Sequence, residues 1–196
     1  MPDTPDNGDT HNQKQGRKSR RGGGKLPVFR FVLVMVILLI AFNVFFYGWF
    51  SKSDIFDGYL SINADVSAVI LGFLGERGVT VEDSVIMSPR FSLGIKRGCD
   101  AIQPAVFFAF FVAASPVRAS RRRKAKAIAI GIALILLINL VRLVSLFYVG
   151  ILWKSAFEWV HIEFWQMVFI ALPIVFWLVW ARRQQLKDSV RADASD

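Results

Sequence analysis

The sequence predicts an all-α polytopic membrane protein, with about four transmembrane helices, an outer interfacial helix and a short extended outer segment. Three observations lead there. Of the 196 residues 54% are hydrophobic, too many for an ordinary soluble domain, yet the chain carries a formal charge of +9. The apolar residues gather in runs about as long as a bilayer is thick. The basic residues gather between those runs, in segments that fall on one side if the runs cross.

The first run, "FVLVMVILLIAFNVFFYGWF", spans Phe31 to Phe50. At 1.5 Å per residue it covers about 30 Å, the hydrocarbon thickness of a bilayer. A cleaved signal peptide has a shorter apolar core followed by small residues. This run ends in Phe, Tyr, Trp and Phe, so it reads as an uncleaved signal anchor. Three more crossings are expected at about Ala101 to Val117, Ala127 to Val149 and His161 to Ala181. A weaker stretch, Tyr59 to Gly75, contains Asn63 and Asp65 and is apolar mainly on one side. An ionised Asp at depth costs a few kcal/mol, so this piece is expected to lie in the interface. From Gly75 to Gly98 apolar and polar residues alternate with β-branched members, the pattern of an extended or hairpin segment.

Charge orients the spans. Seven Lys or Arg precede residue 31 (Lys14, Arg17, Lys18, Arg20, Arg21, Lys25, Arg30) and six lie in "VRASRRRKAK", Val117 to Lys126. The C-terminal tail carries Arg182, Arg183, Lys187 and Arg191. The positive-inside rule puts all three segments in the cytoplasm, leaving residues 51–100 and 150–160 outside. Trp49, Trp153, Trp159 and Trp165 then form an outer aromatic belt, and Trp177 and Trp180 an inner one. Residues 1–26 are expected to be a disordered basic cytoplasmic tail resting on anionic membrane lipids, residues 27–181 the membrane domain, and residues 182–196 a second cytoplasmic tail. Nucleic-acid binding is the competing reading of the basic cluster. It is set aside because any membrane protein of this orientation needs inner positive charge.

On this topology three reactive side chains share one depth. Cys99, the single cysteine, stands at the outer mouth of the second crossing in "RGCDAIQP". Asp100 with Gln103 resembles a capping box, and Pro104 fits a first helical turn. The thiol therefore sits just ahead of a helix N-terminus, whose free N–H groups favour a thiolate, while the Asp100 carboxylate opposes one. A buried inert thiol is the alternative. Arg142 lies in "LLINLVRLVSLFYVG", about 22 Å along its helix from Ala127, in the outer third of the bilayer. An intramembrane Arg is costly and marks a functional site by default. Asn139 and Ser145 flank it on the same face, whereas an Arg merely snorkelling to headgroups needs no polar neighbour below it. His161 opens the last crossing, and Glu158 three residues earlier is placed to orient its imidazole. One Cys and one His without a usual ligand spacing do not make a metal site, and no cofactor is implied. A thiolate, a proton-moving imidazole and an oxyanion-stabilising guanidinium together suit acyl transfer.

At these residues the sequence resembles the exosortase/archaeosortase family of membrane cysteine transpeptidases, from about Leu71 to Phe169. The likeness rests on "LGFLGERGVTV" leading into a β-like stretch, "GC" opening a helix, and a basic inner loop, followed by "NLVR" and an isolated His opening the last span. The short chain is most similar to the compact form called exosortase H. The family's proposed Cys, Arg and His fall on Cys99, Arg142 and His161. Where the family commonly has Ser or Thr and then Gly after the Cys, this chain has Asp100 and Ala101. The resemblance implies a thiol protease-transpeptidase of the cell inner membrane, with its site on the outer face. Its partners would be exported proteins ending in a motif, a transmembrane helix and a basic tail. Two other classes remain open: a non-enzymatic assembly or transport subunit in which Arg142 pairs with a partner helix, and an ion pathway built on Arg142 and His161. In both Cys99 is dispensable.

Overall fold

The structure, a computed structural model, describes residues 25–117 and 119–193. The disordered tail expected before the first span lies outside them, except that Lys25 and Leu26 already belong to α1 (Lys25–Gly48). A 3₁₀ turn at Phe50–Lys52 leads into α2 (Asp54–Phe73). Three short antiparallel strands follow, β1 (Thr80–Glu82), β2 (Val85–Met87) and β3 (Ser92–Gly94), in the order β1-β2-β3. Then come α3 (Ile102–Ala114) and α4 (Arg121–Leu152). Past a 3₁₀ turn, α5 (Phe157–Trp159) runs through a π-helical turn (Val160–Phe164) into α6 (Trp165–Asp193).

The protein is thus an all-α polytopic membrane protein with one small sheet. Four of its helical runs are long and apolar enough to cross a bilayer: Phe29–Lys52, Asp54–Phe73, Arg121–Leu152 and Lys154–Lys187. That set differs from the expected one. The stretch 101–117 yields only the 13-residue α3, about 20 Å long and short of the hydrocarbon thickness. The cause is local. Ser115 precedes Pro116, which disfavours helical geometry there, and Ser115 is extended at φ −56°, ψ 131°. Conversely, the stretch expected from Tyr59 begins earlier, at Asp54, where the Ser53 hydroxyl caps the helix by accepting from the Phe56 N–H. Asn63 faces inward and bonds the Tyr59 carbonyl, so its amide does not oppose a helix of this length. Asp65 lies on the exposed face.

Side chains between helices give the directions. Arg142 of α4 meets the residues just before α3, and Lys124 at the other end of α4 donates to the carbonyls of Ala113 and Ser115, so α3 and α4 are antiparallel. The ring of Phe108 lies on Gly131, where any Cβ would collide with it. Phe31, Phe111 and Trp177 cluster and bring α1, α3 and α6 together at that same end. The basic residues 121–126, Arg30 and Arg182–Arg183 are therefore neighbours at one end of the bundle. Gln103 on Tyr47, and Arg142 on Gly98, mark the opposite end. There the sheet packs on α2, and Phe91 fits against Gly150 and the ring of Phe147.

One member of the expected aromatic belt is not in it. Trp49, Trp153 and Trp159 are exposed, but Trp165 is only 7% exposed and belongs to the core. The π turn ahead of it inserts a residue into the helical register and rotates Trp165 inward.

Candidate active site

Cys99 sits in a turn between β3 and α3 that the sequence builds from small and hydrogen-bonding residues. Ile95 is buried and its N–H bonds the Ser84 carbonyl, anchoring the turn to the sheet. Gly98 takes φ +93°, a region costly for side-chain-bearing residues, and the Cys99 N–H closes on the Lys96 carbonyl at 2.9 Å. Asp100 is 2% exposed, and its carboxylate accepts from the N–H groups of Gly98 (2.9 Å) and Ile102 (2.8 Å). It stiffens the turn on both sides of the thiol.

The expected capping box does not form. The residue before α3 is Ala101, left-handed at φ 59°, ψ 11°, with no side-chain cap, and Gln103 points away to donate to the Tyr47 hydroxyl at 2.6 Å. A left-handed alanine costs about 1–2 kcal/mol. Backbone strain of this kind gathers at functional sites.

The three expected reactive residues meet. The Sγ of Cys99 lies 3.2 Å from Nε2 of His161 and 3.5 Å from Nη2 of Arg142. Nη1 of Arg142 donates to the Gly98 carbonyl at 3.3 Å. The guanidinium carbon stands 5.3 Å from the centre of the Phe169 ring, a cation–π arrangement. With 7% of Arg142 exposed, a snorkelling role is excluded: the head turns inward to the thiol. Its Nε is buried without a partner among the described residues. His161 reaches the sulfur from the π turn, a distortion frequent at functional sites, and the Phe157 ring flanks it at 5.7 Å.

Two of the supporting residues take other places. Asn139 is fully buried, but its amide approaches Asn63 of α2 at 3.5 Å rather than Arg142. Glu158 is exposed and makes no hydrogen bond to His161 among the described residues, its charge alone reaching the imidazole. Tyr59, Asn63 and Trp165, which the sequence offers only as parts of an interfacial helix and an aromatic belt, also pack around the site. Tyr59 and Asn63, with Ser67, form a polar stripe at i, i+4 and i+8 on α2, a signal the sequence does contain. The indole N–H of Trp165 is buried and unpartnered among the described residues, beside the site.

A cavity of about 530 Å³ opens over Cys99, Arg142 and His161, between the turn, α3 and α6. Lys96 and Arg97 stand at its rim, and Trp165, Phe169 and Ile170 supply an apolar wall. A thiol, an imidazole and a buried guanidinium thus line one space of small-ligand size. Among the described residues no cluster of His, Cys, Asp and Glu is arranged to hold a metal. Residues 22–169 match the family described as transmembrane exosortase. No curated protein and no solved structure matches the chain.

Proposed function

The chain belongs to the transmembrane exosortase family, whose members are membrane cysteine proteases or transpeptidases acting on exported proteins with C-terminal sorting signals, and we propose that this chain performs that reaction with Cys99, His161 and Arg142. The observation that carries the reading is the contact of one sulfur with both an imidazole and a guanidinium inside a peptide-sized cavity. Neither a structural subunit nor an ion pathway calls for that convergence on Cys99.

The geometry supports the following course for the reaction. The Cys99 proton passes to Nε2 of His161, and Arg142 stabilises the thiolate from the other side. The sulfur adds to the scissile carbonyl carbon, and the carbonyl electron pair moves onto oxygen. That oxyanion is met by the remaining N–H donors of Arg142, which is held in place by Gly98 and Phe169 and needs no reorganisation. The imidazolium gives its proton to the amide nitrogen as the C–N bond breaks, releasing the C-terminal fragment and leaving a thioester on Cys99. An amine, hydroxyl or water then attacks the thioester. His161 takes the acceptor's proton, the C–S bond breaks, and the thiolate is restored.

The substrate signal is a motif, a transmembrane helix and a basic tail. With the basic segments of this chain at one end of the bundle and Cys99 at the other, the positive-inside rule supports a site on the outer face of the cell inner membrane. The test is direct. A host protein ending in motif, helix and basic tail should accumulate with that tail attached when Cys99→Ser replaces the native chain at equal membrane levels. Normal processing by Cys99→Ser would end the proposal.

A further inference from the structure

The turn that bears Cys99 is stiff within itself, since the Asp100 carboxylate accepts from the N–H groups of its own neighbours, Gly98 and Ile102. Stiffness does not fix where the turn sits among the helices. The Ile95 N–H on the Ser84 carbonyl ties it to the sheet; among the helices two residues bond it, Arg142 and His161, both engaged with the sulfur. A third comes from behind. The Tyr59 hydroxyl of α2 donates to the Asp100 carbonyl at 2.6 Å, one peptide past the nucleophile and just before the left-handed Ala101. Tyr59 lies outside the cavity over Cys99 and lines a separate depression between α2 and α4.

We infer that Tyr59 is a positioning residue, bracing the Cys99 turn from behind so that the sulfur stays within reach of Arg142 and His161. Its own place is secured by the next turn of α2. The Asn63 amide donates to the Tyr59 carbonyl at 2.8 Å and meets Asn139 of α4, one turn from Arg142. The nucleophile and the guanidinium are thus referred to one polar stripe on α2. Without the hydroxyl the Asp100 carbonyl is released, Ala101 is free to leave its left-handed conformation, and the sulfur drifts from its partners. A displacement of about 1 Å costs as much as 100-fold in rate.

The inference rests on Cys99 being the nucleophile, and the test separates the two. Because the chain has one cysteine, alkylation by iodoacetamide in isolated membranes reports Cys99 alone. The full chain, Tyr59→Phe and His161→Ala are compared across pH, with thermal unfolding as a check on the fold. Tyr59→Phe keeps the ring and should accumulate normally, yet alkylate about fivefold to tenfold more slowly near neutral pH, its profile moved to higher pH as the thiolate loses its partners. On a processed substrate its kcat should fall about tenfold, with KM within about twofold. A shifted profile in His161→Ala but an unchanged one in Tyr59→Phe overturns the inference and leaves the proposed reaction standing. So does a lower unfolding temperature in Tyr59→Phe with an unchanged profile, the mark of a merely structural tyrosine. Unchanged profiles in both variants overturn the inference and the Cys99–His161 pairing together. Should Tyr59→Phe not accumulate, Asn63→Leu takes its place. It removes the bond to the Tyr59 carbonyl and should shift alkylation in the same direction by a smaller factor, and no shift there also overturns the inference.

Discussion

Replacing Arg142 by Lys keeps the charge and removes the geometry. The guanidinium reaches two points at once, the Gly98 carbonyl at 3.3 Å and the Cys99 sulfur at 3.5 Å, while its carbon stands over the Phe169 ring. An ammonium is a compact point charge on a shorter reach, and it cannot span both points while keeping donors for a developing oxyanion. A hydrogen bond to a charged group is worth about 1.5–3 kcal/mol. Losing one in the transition state lowers the rate about 10- to 100-fold. The burial of Arg142 keeps the interaction from being screened by water, so the upper part of that range applies. The assay is accumulation of a substrate still bearing its C-terminal helix, with wild type and Arg142→Lys compared at matched membrane levels. Arg142→Lys should accumulate as a stable protein and process at least tenfold more slowly. Near-normal processing would show that charge alone suffices, and the fork geometry would drop out of the mechanism.

Three further expectations test other links. A membrane-impermeant maleimide added to intact cells whose outer envelope admits it should label Cys99; labelling confined to inverted vesicles would reverse the orientation argued from the basic segments. Glu158→Gln should leave processing within about twofold, since the exposed carboxylate makes no hydrogen bond to His161, and a tenfold loss would restore it as an orienting group. Gly150→Val should drive the Phe91 ring off α4, because any Cβ at residue 150 overlaps it. Overpacking of this kind costs about 1–3 kcal/mol, or about 3–10 °C in unfolding temperature, and an unchanged temperature would mean that the sheet is not anchored there.

Much of this protein is written in one dimension. Runs of apolar residues and blocks of Lys and Arg obey constraints that act segment by segment, namely bilayer thickness and the cost of moving charge, so the helical class and the grouping of the basic ends needed no knowledge of packing. Arg142 stands out locally, as an improbable residue for its apolar surroundings, whereas Cys99 and His161 join it by shared depth on the expected topology and by the family resemblance. Their meeting at one sulfur was not local. It depends on the antiparallel packing of α3 on α4, on the turn ahead of α3, and on a π turn that carries His161 to the sulfur. The roles of neighbours changed for the same reason. Asp100 and Gln103 fit a capping box by spacing, but the left-handed Ala101 directs the carboxylate to Gly98 and Ile102 and sends Gln103 to Tyr47. Tyr59 stands 41 positions from its partner Asp100, so only the folded arrangement of α2 behind the turn makes it a brace. Spacing along a chain governs which residues can share a helix face, whereas hydrogen bonds between elements are chosen by whichever donor and acceptor the packing leaves within about 3 Å of each other.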